Sequence, residues 1–358
     1  MYSIAKIIPE KIFRKILRKI INIAFNLLKK EKKIAYKNLE VINPSLNKEE
    51  KDKIYRKFTN VFSEILSDQI LFSKYDKEDL ISKIEVIGYE RIKEYFNYKK
   101  GIILVVGHLG NWEIFGVHAC LNGFPINCLY RPLDNKLLDK YLNKSRTKYG
   151  VKLISKFSSP LNMIRPLLNN EALVFLADQN TIKNYLYVPF FGKIASASRG
   201  FSFFHLKTNA PVVFAYSYID DDLKQYGIFE ECFDFVNLYN KLSIKEKHFL
   251  NYFNLTFNSR SSKEIYQENL NNFKKFYSIE DRFKLNEQEL AENELEKFKD
   301  KIKNYNELSF DEKSFYITYF FHQALEKVIF KYPESWLLVH PRFNKQPEGF
   351  PKFYNFKK

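Results

Sequence analysis

The chain is poor in cysteine. Its 358 residues contain Cys120, Cys128 and Cys232, an odd number without a CxxC spacing. That argues against a disulfide framework or a zinc site and fits a reducing compartment. No charged-then-apolar leader with a small-residue cleavage site opens the sequence, so no secretory signal is expected. Nowhere do about 18 apolar residues follow one another, so an uninterrupted spanning helix is not expected either. A GxSxG elbow is also missing, and Cys120 and Cys128 lie in apolar sequence without an activating base, which leaves serine and cysteine nucleophiles unsupported. No internal repeat is present.

Acidic residues fall short of basic ones, 42 against 58, leaving a formal charge of +16. An excess of this size implies an anionic partner: nucleic acid, anionic lipid or an acidic carrier protein. Residues 1–37 hold eleven Lys or Arg against Glu10 and Glu31, a net +9 and more than half of the total. With 45% apolar and 17% aromatic residues the chain is globular rather than disordered.

Pro9 suits the first turn of a helix over residues 8–30. On a helical wheel Ile12, Phe13, Ile16, Leu17, Ile20, Ile21, Ile23, Ala24, Leu27 and Leu28 share one wide arc, and Lys11, Arg14, Lys15, Arg18, Lys19 and Lys29 fill the other. Only Phe25 falls out of place. A basic amphipathic helix over 1–34 lying in an anionic membrane interface is the reading adopted; its rival is a helix docked on the protein's own core with a solvated basic back. Nucleic-acid binding is not expected, because the basic arm carries an Ile/Leu face instead of interleaved aromatics.

Residues 35–97 read as largely helical, with Ser45 or Asn47 as an N-cap. From about 82 onward short apolar runs alternate with helical stretches. The runs are 101–106, 126–129, 173–177, 211–218 and 335–340; helix candidates lie at 111–122, 134–149, 160–169 and 198–209. This alternation predicts an α/β fold, a mainly parallel sheet flanked by helices. Residues 35–358 are taken as one domain interrupted by a polar insertion, expected to be helical, at 238–312.

The sharpest local feature is GIILVVGHLGNWEIF at 101–115. A buried strand ends, a glycine-bounded turn follows, and a helix begins, which is the usual ligand position in an open α/β sheet. His108 sits in the turn. Glu113, with four residues between, can turn back to accept from one imidazole nitrogen, leaving the other to take a proton. The plainer alternatives are a structural turn histidine and a glutamate that caps its helix. A metal is not expected, because His108, Glu113 and His118 are spaced by five and do not share a helix face.

GHLGNWE at 107–113 resembles the HX4(D/E) block of the lipid A biosynthesis acyltransferases. The likeness continues through YRPLDNKLLDKYLNKSRTKYGVKLI (130–154), ALVFLADQN (172–180), VPFFGKIASASRGFSFFHLKTNAPVVFAYSY (188–218) and YPESWLLVHPRF (332–343), and also in AYKNLEVINPSL (35–46). Two departures stand out: many relatives begin with a more apolar helix, and residues 238–312 have no counterpart.

The resemblance implies an O-acyltransferase on the cytoplasmic face of the bacterial inner membrane. Its donor is acyl carrier protein or coenzyme A loaded with a fatty acyl chain, its acceptor a hydroxyl of a lipid A precursor or related glycolipid, and no cofactor is needed. His108 is then the general base oriented by Glu113, with backbone N–H groups of the 107–111 turn receiving the oxyanion. Arg131, Arg146, Asp178 and Arg199 form the expected substrate-binding set. The guanidinium groups suit phosphates, and Asp178, at the end of a buried strand, orders the site through hydrogen bonds; surface salt bridging and capping are the competing explanations. The aromatic pair of VPFFG lines an acyl channel or is plain core. A glycerolipid acyltransferase acting on a lysophospholipid is the rival enzyme, but it usually carries Asp at the last motif position and an EGTR-like block, which this chain lacks.

Overall fold

The computed structural model describes residues 8–258, 267, 302–348 and 350–356. In chain order the helices are α1 Glu10–Leu27, α2 Lys29–Ile42, α3 Lys48–Leu71, α4 Lys77–Ser82, α5 Tyr89–Phe96, α6 Trp112–Leu121, α7 Lys136–Thr147, α8 Pro160–Leu168, α9 Gly200–Thr208, α10 Phe235–Lys241, α11 Ile244–Asn258 and α12 Phe310–Lys331. The strands are β1 Ile84–Ile87, β2 Ile102–Val106, β3 Ile126–Tyr130, β4 Lys152–Ser155, β5 Ala172–Leu176, β6 Tyr185–Phe190, β7 Lys193–Ser198, β8 Val212–Ile219 and β9 Gln225–Cys232. They group into two compact units: residues 1–178, 207–232 and 328–340, and residues 179–206, 233–327 and 341–358.

The first unit holds a seven-stranded sheet in the order β1-β9-β8-β2-β5-β3-β4. Every neighbouring pair is parallel except β8 with β9. The fold is therefore the expected mainly parallel α/β sheet flanked by helices. Strand β2 is central, and all five of its residues are buried, which is why its sequence reads IILVV without alternation. Asn47 caps α3 in a reciprocal box with Glu50.

Residues 335–340 do not form the expected strand. A short 3-10 turn at 333–335 leads into a segment that bonds to the His108 turn: Gly110 N–H donates to Ser335 O at 2.8 Å and Leu337 N–H to His108 O at 3.1 Å. Trp336 and Leu338 are buried and Leu337 and Val339 half-buried, which gives much the same sequence signature as a core strand.

Helix α1 stops at Leu27, and its wheel has three faces. Phe13, Leu17 and Phe25 are buried, with Phe13 and Leu17 in the main core. Ile12, Ile16, Ile20, Ile23 and Leu27 are 45–74% exposed. Lys11, Lys15 and Lys19 are exposed beside that stripe. Arg14 and Arg18 depart from the expected solvated basic face, because they turn inward onto Glu64 of α3 at 2.6 Å each. Among the described residues no helix is long and apolar enough to cross a membrane.

The second unit contains the antiparallel hairpin β6–β7 together with α10, α11 and most of α12. It begins at 179, so it takes in far more than the expected insertion at 238–312; most of 259–301 lies outside the described residues. Two residues, Phe191 and Gly192, close the hairpin with φ of +48° and +66°. A phenylalanine is unusual there. The Glu326 carboxylate holds it by accepting the Phe191 N–H at 2.6 Å. Phe190 is core in this unit, lying against Phe343 and beneath the buried Arg342, which donates to Ser196 O of β7.

Candidate active site

Strands β2 and β5 are parallel neighbours, with Val106 level with Leu176. Two residues beyond each, at the carboxyl ends, His108 and Asp178 meet: Nδ1 lies 2.7 Å from Asp178 Oδ1. The Trp336 indole donates to Asp178 Oδ2 at 3.0 Å, and the His108 backbone N–H also bonds the carboxylate. Asp178 is 1% exposed and the His108 side chain 18%. Burial pushes the Asp178 carboxyl up, but the His108 imidazole beside it and the donated hydrogen bonds outweigh this and hold it well below the usual carboxylate range. An ionised carboxylate accepts only, so Nδ1 presents a hydrogen to Asp178, and in the neutral ring the lone pair is on Nε2.

The turn itself is tightly held. Gly110 has φ of +50°, and a Cβ there would come within 2.7 Å of the β8 backbone at Ser217 and Tyr218, so no other residue fits unstrained. Ser217 Oγ donates to Leu109 O at 2.6 Å. The Gly110 and His108 N–H groups are taken by Ser335 O and Asp178, so these two members of the expected oxyanion set are already committed. Trp112 packs edge-on against the imidazole at 4.9 Å between ring centroids. A small apolar recess opens beside His108, lined by Phe58, Phe62, Ile65, Trp112 and Trp336 among others.

Among the described contacts Glu113 is bonded to Arg146 and not to His108. As the second residue of α6 it points about 100° away from Trp112, and its carboxylate takes both Nε of Arg146, at 2.8 Å, and a terminal nitrogen of the same side chain. Burial works against the Arg146 charge, yet the pairing with Glu113 raises its pKa. This pair lines a separate recess with Phe72, Val117 and Leu142. His118 is bonded through Nδ1 to Tyr89 at 2.6 Å.

The members of the expected substrate set each have partners of their own. Asp178 serves the imidazole and Arg146 serves Glu113. Arg131 is exposed beyond the end of β3. Arg199 belongs to the second unit, where it bonds Asp311 at 2.6 Å. Sequence reasoning missed Trp336, although it stood in the quoted YPESWLLVH run. Burial pushes the Cys120 and Cys128 thiols up to about 11 and about 12, away from nucleophilic character.

Fold and site together define a mainly parallel α/β protein with a histidine–aspartate pair at the carboxyl end of its central strands. The model of the bacterial lipid A biosynthesis acyltransferases matches residues 1–231, and the chain belongs to that family. It is 25% identical over 169 residues to a lipid A biosynthesis acyltransferase of Haemophilus influenzae, covering 46% of this chain and 52% of that protein. To a lipid A biosynthesis lauroyltransferase of Escherichia coli (strain K12) it is 26% identical over 175 residues, covering 47% and 55%. The chain thus spans about half the length of the curated relatives it matches.

Proposed function

We propose that this protein transfers a fatty acyl chain from an acyl carrier protein or coenzyme A thioester to a hydroxyl of a lipid A precursor or related glycolipid, at the cytoplasmic face of the inner membrane. The observation that carries the reading is His108, held on Asp178 at 2.7 Å beside an apolar recess, in a chain of this family. His108 Nε2 takes the proton of the acceptor hydroxyl as its oxygen attacks the thioester carbonyl carbon. The tetrahedral intermediate collapses, the C–S bond breaks, and the proton returns from the imidazolium to the leaving thiolate. Asp178 supports the imidazolium, the role first assigned to Glu113. The exposed Ile12–Leu27 stripe with its lysine border supports attachment to an anionic bilayer, apolar side chains entering the interface and lysines meeting the headgroups.

One assay tests both parts: transfer from acyl carrier protein to a lipid A precursor, presented either in anionic vesicles or in detergent. His108→Ala should lose roughly 10²–10⁴-fold in turnover in both. Ile16→Glu combined with Ile20→Glu should lose transfer on vesicles and keep it in detergent. Near-normal transfer by folded His108→Ala would sink the mechanism, and undiminished transfer on vesicles by the double variant would sink the attachment.

A further inference from the structure

A second buried carboxylate lies behind the His108 turn. Asp68, near the end of α3, is 0% exposed. Its two oxygens face different parts of the first unit. Oδ2 accepts from Asn111 Nδ2 at 2.8 Å and from Gln225 Nε2 of β9 at 2.7 Å. Oδ1 accepts from the Tyr75 hydroxyl at 3.1 Å, bonds the Arg14 guanidinium of α1, and lies 3.7 Å from Lys83 Nζ.

Asn111 is fully committed. Its other amide atom, Oδ1, accepts the Ile114 N–H at 3.2 Å and so caps α6, while its backbone carbonyl accepts the Phe115 N–H at 3.0 Å. Arg14 is equally committed, reaching Glu10 at 2.9 Å, Glu64 at 2.6 Å and Tyr75 at 2.9 Å besides Asp68. A continuous chain of bonds therefore runs from α1, the helix with the exposed isoleucine stripe, through Arg14 and Asp68 to the cap three residues after His108. Removing Asp68 leaves the buried Asn111 amide without that acceptor and takes from Arg14 one of its three carboxylates, so the cap loses its tie to α1.

Resting on the reading of His108 as base, we propose that Asp68 is a positioning residue for the catalytic turn, clamped by Arg14, so that the seating of α1 on the first unit sets the geometry of His108. Asp68 acts through Asn111 and does not touch the reacting atoms.

The test uses the full chain and two readouts, acyl transfer and amide hydrogen exchange. Asp68→Ala should lower kcat roughly 10–100-fold with KM for the thioester changed by less than about threefold, as for a misplaced catalytic group. It should speed exchange of the 109–115 amides at least about tenfold relative to the β5 amides. Asp68→Asn, which keeps one acceptor, should fall between Ala and wild type. Asp68→Ala combined with Asn111→Ala should be little worse in kcat than the poorer single variant, because residues acting as a unit are non-additive. Should Asp68→Ala fail to fold, Arg14→Gln gives the same directions at smaller size. Additive kcat losses, or exchange that quickens uniformly across the unit, would overturn the proposal in favour of a general packing role. The exchange arm needs no turnover. A wild-type chain without transfer would therefore sink the acyltransferase reading alone, and active wild type with unaltered exchange in the variants would sink the positioning role alone.

Discussion

Each unit holds a carboxylate whose surroundings decide its charge, the buried Asp178 in the first and the half-buried Glu326 in the second, and the two come out opposite. In the first, Asp178 lies against an imidazole, an indole N–H and a backbone N–H, and is held ionised well below the usual range. In the second, the donors to Glu326 among the described residues are neutral, the Phe191 N–H and the Gln323 amide at 3.2 Å, and burial pushes it up to about 7. Burial alone therefore does not predict the state of a carboxyl group; a partner able to carry positive charge does. The same rule separates Asp178 from Glu113, whose carboxylate is held by a permanent cation, Arg146, and so is unavailable to support a transient one on His108.

The largest expected effect follows from that separation. Asp178→Asn keeps the shape and the Trp336 contact but removes the anion, and it lets an amide N–H face Nδ1 and favour the wrong tautomer. Turnover should fall roughly 10²–10⁴-fold, and combination with His108→Ala should add little. An Asp178→Asn protein with normal turnover would break the pairing of roles.

A smaller effect is expected at Glu113. Glu113→Gln leaves Arg146, 26% exposed, facing a neutral partner, which should cost about 1–3 kcal/mol of stability and about tenfold or less in turnover. Its loss should add to that of Asp178→Asn, because the two carboxylates serve different cations. Non-additivity, measured with melting temperatures matched, would restore Glu113 to the imidazole.

These roles show what one sequence makes legible. The GIILVV run, its glycine turn and the helix after it are local, so β2, the position of His108 and the start of α6 were readable from residues alone. Which strand lies beside β2 is not local. Asp178 reaches His108 only because β2 and β5 pair in register, 70 residues apart, while the nearer Glu113 offered itself by spacing. Arg146 is 33 residues from Glu113 and equally hidden. The wheel of α1 found its apolar and basic arcs, but Arg14 and Arg18 turn inward because α3 supplies Glu64 and Asp68, and no periodicity records that. Hairpin β6–β7 escaped notice because Phe191 occupies a turn position that sequence reasoning reserves for glycine or asparagine. The Glu326 carboxylate and the Phe190 ring hold it there.

The smallest expected effect tests the other half of the comparison, at Glu326. An unfolded glutamate titrates near 4.3, whereas the folded one titrates at about 7. Below about pH 4 both states are protonated and the burial carries no ionisation penalty. Between about 4 and 7 the unfolded chain loses its proton while the folded one keeps it, so the folded state binds more protons and stability falls as pH rises. Above 7 the loss is complete. For Asp178 the sign is reversed: its contribution is present above about 4 and is lost as pH falls below that. Glu326→Gln keeps an acceptor for Phe191 and cannot ionise. At pH 8 it should raise the melting temperature of the second unit by a few degrees, and at pH 4 it should change it little, as followed by hydrogen exchange in the 185–198 hairpin during a thermal series. Equal destabilisation by Glu326→Gln at both pH values would mean that the hairpin turn requires the anion, and the contrast between the two carboxylates would then fail at its second member.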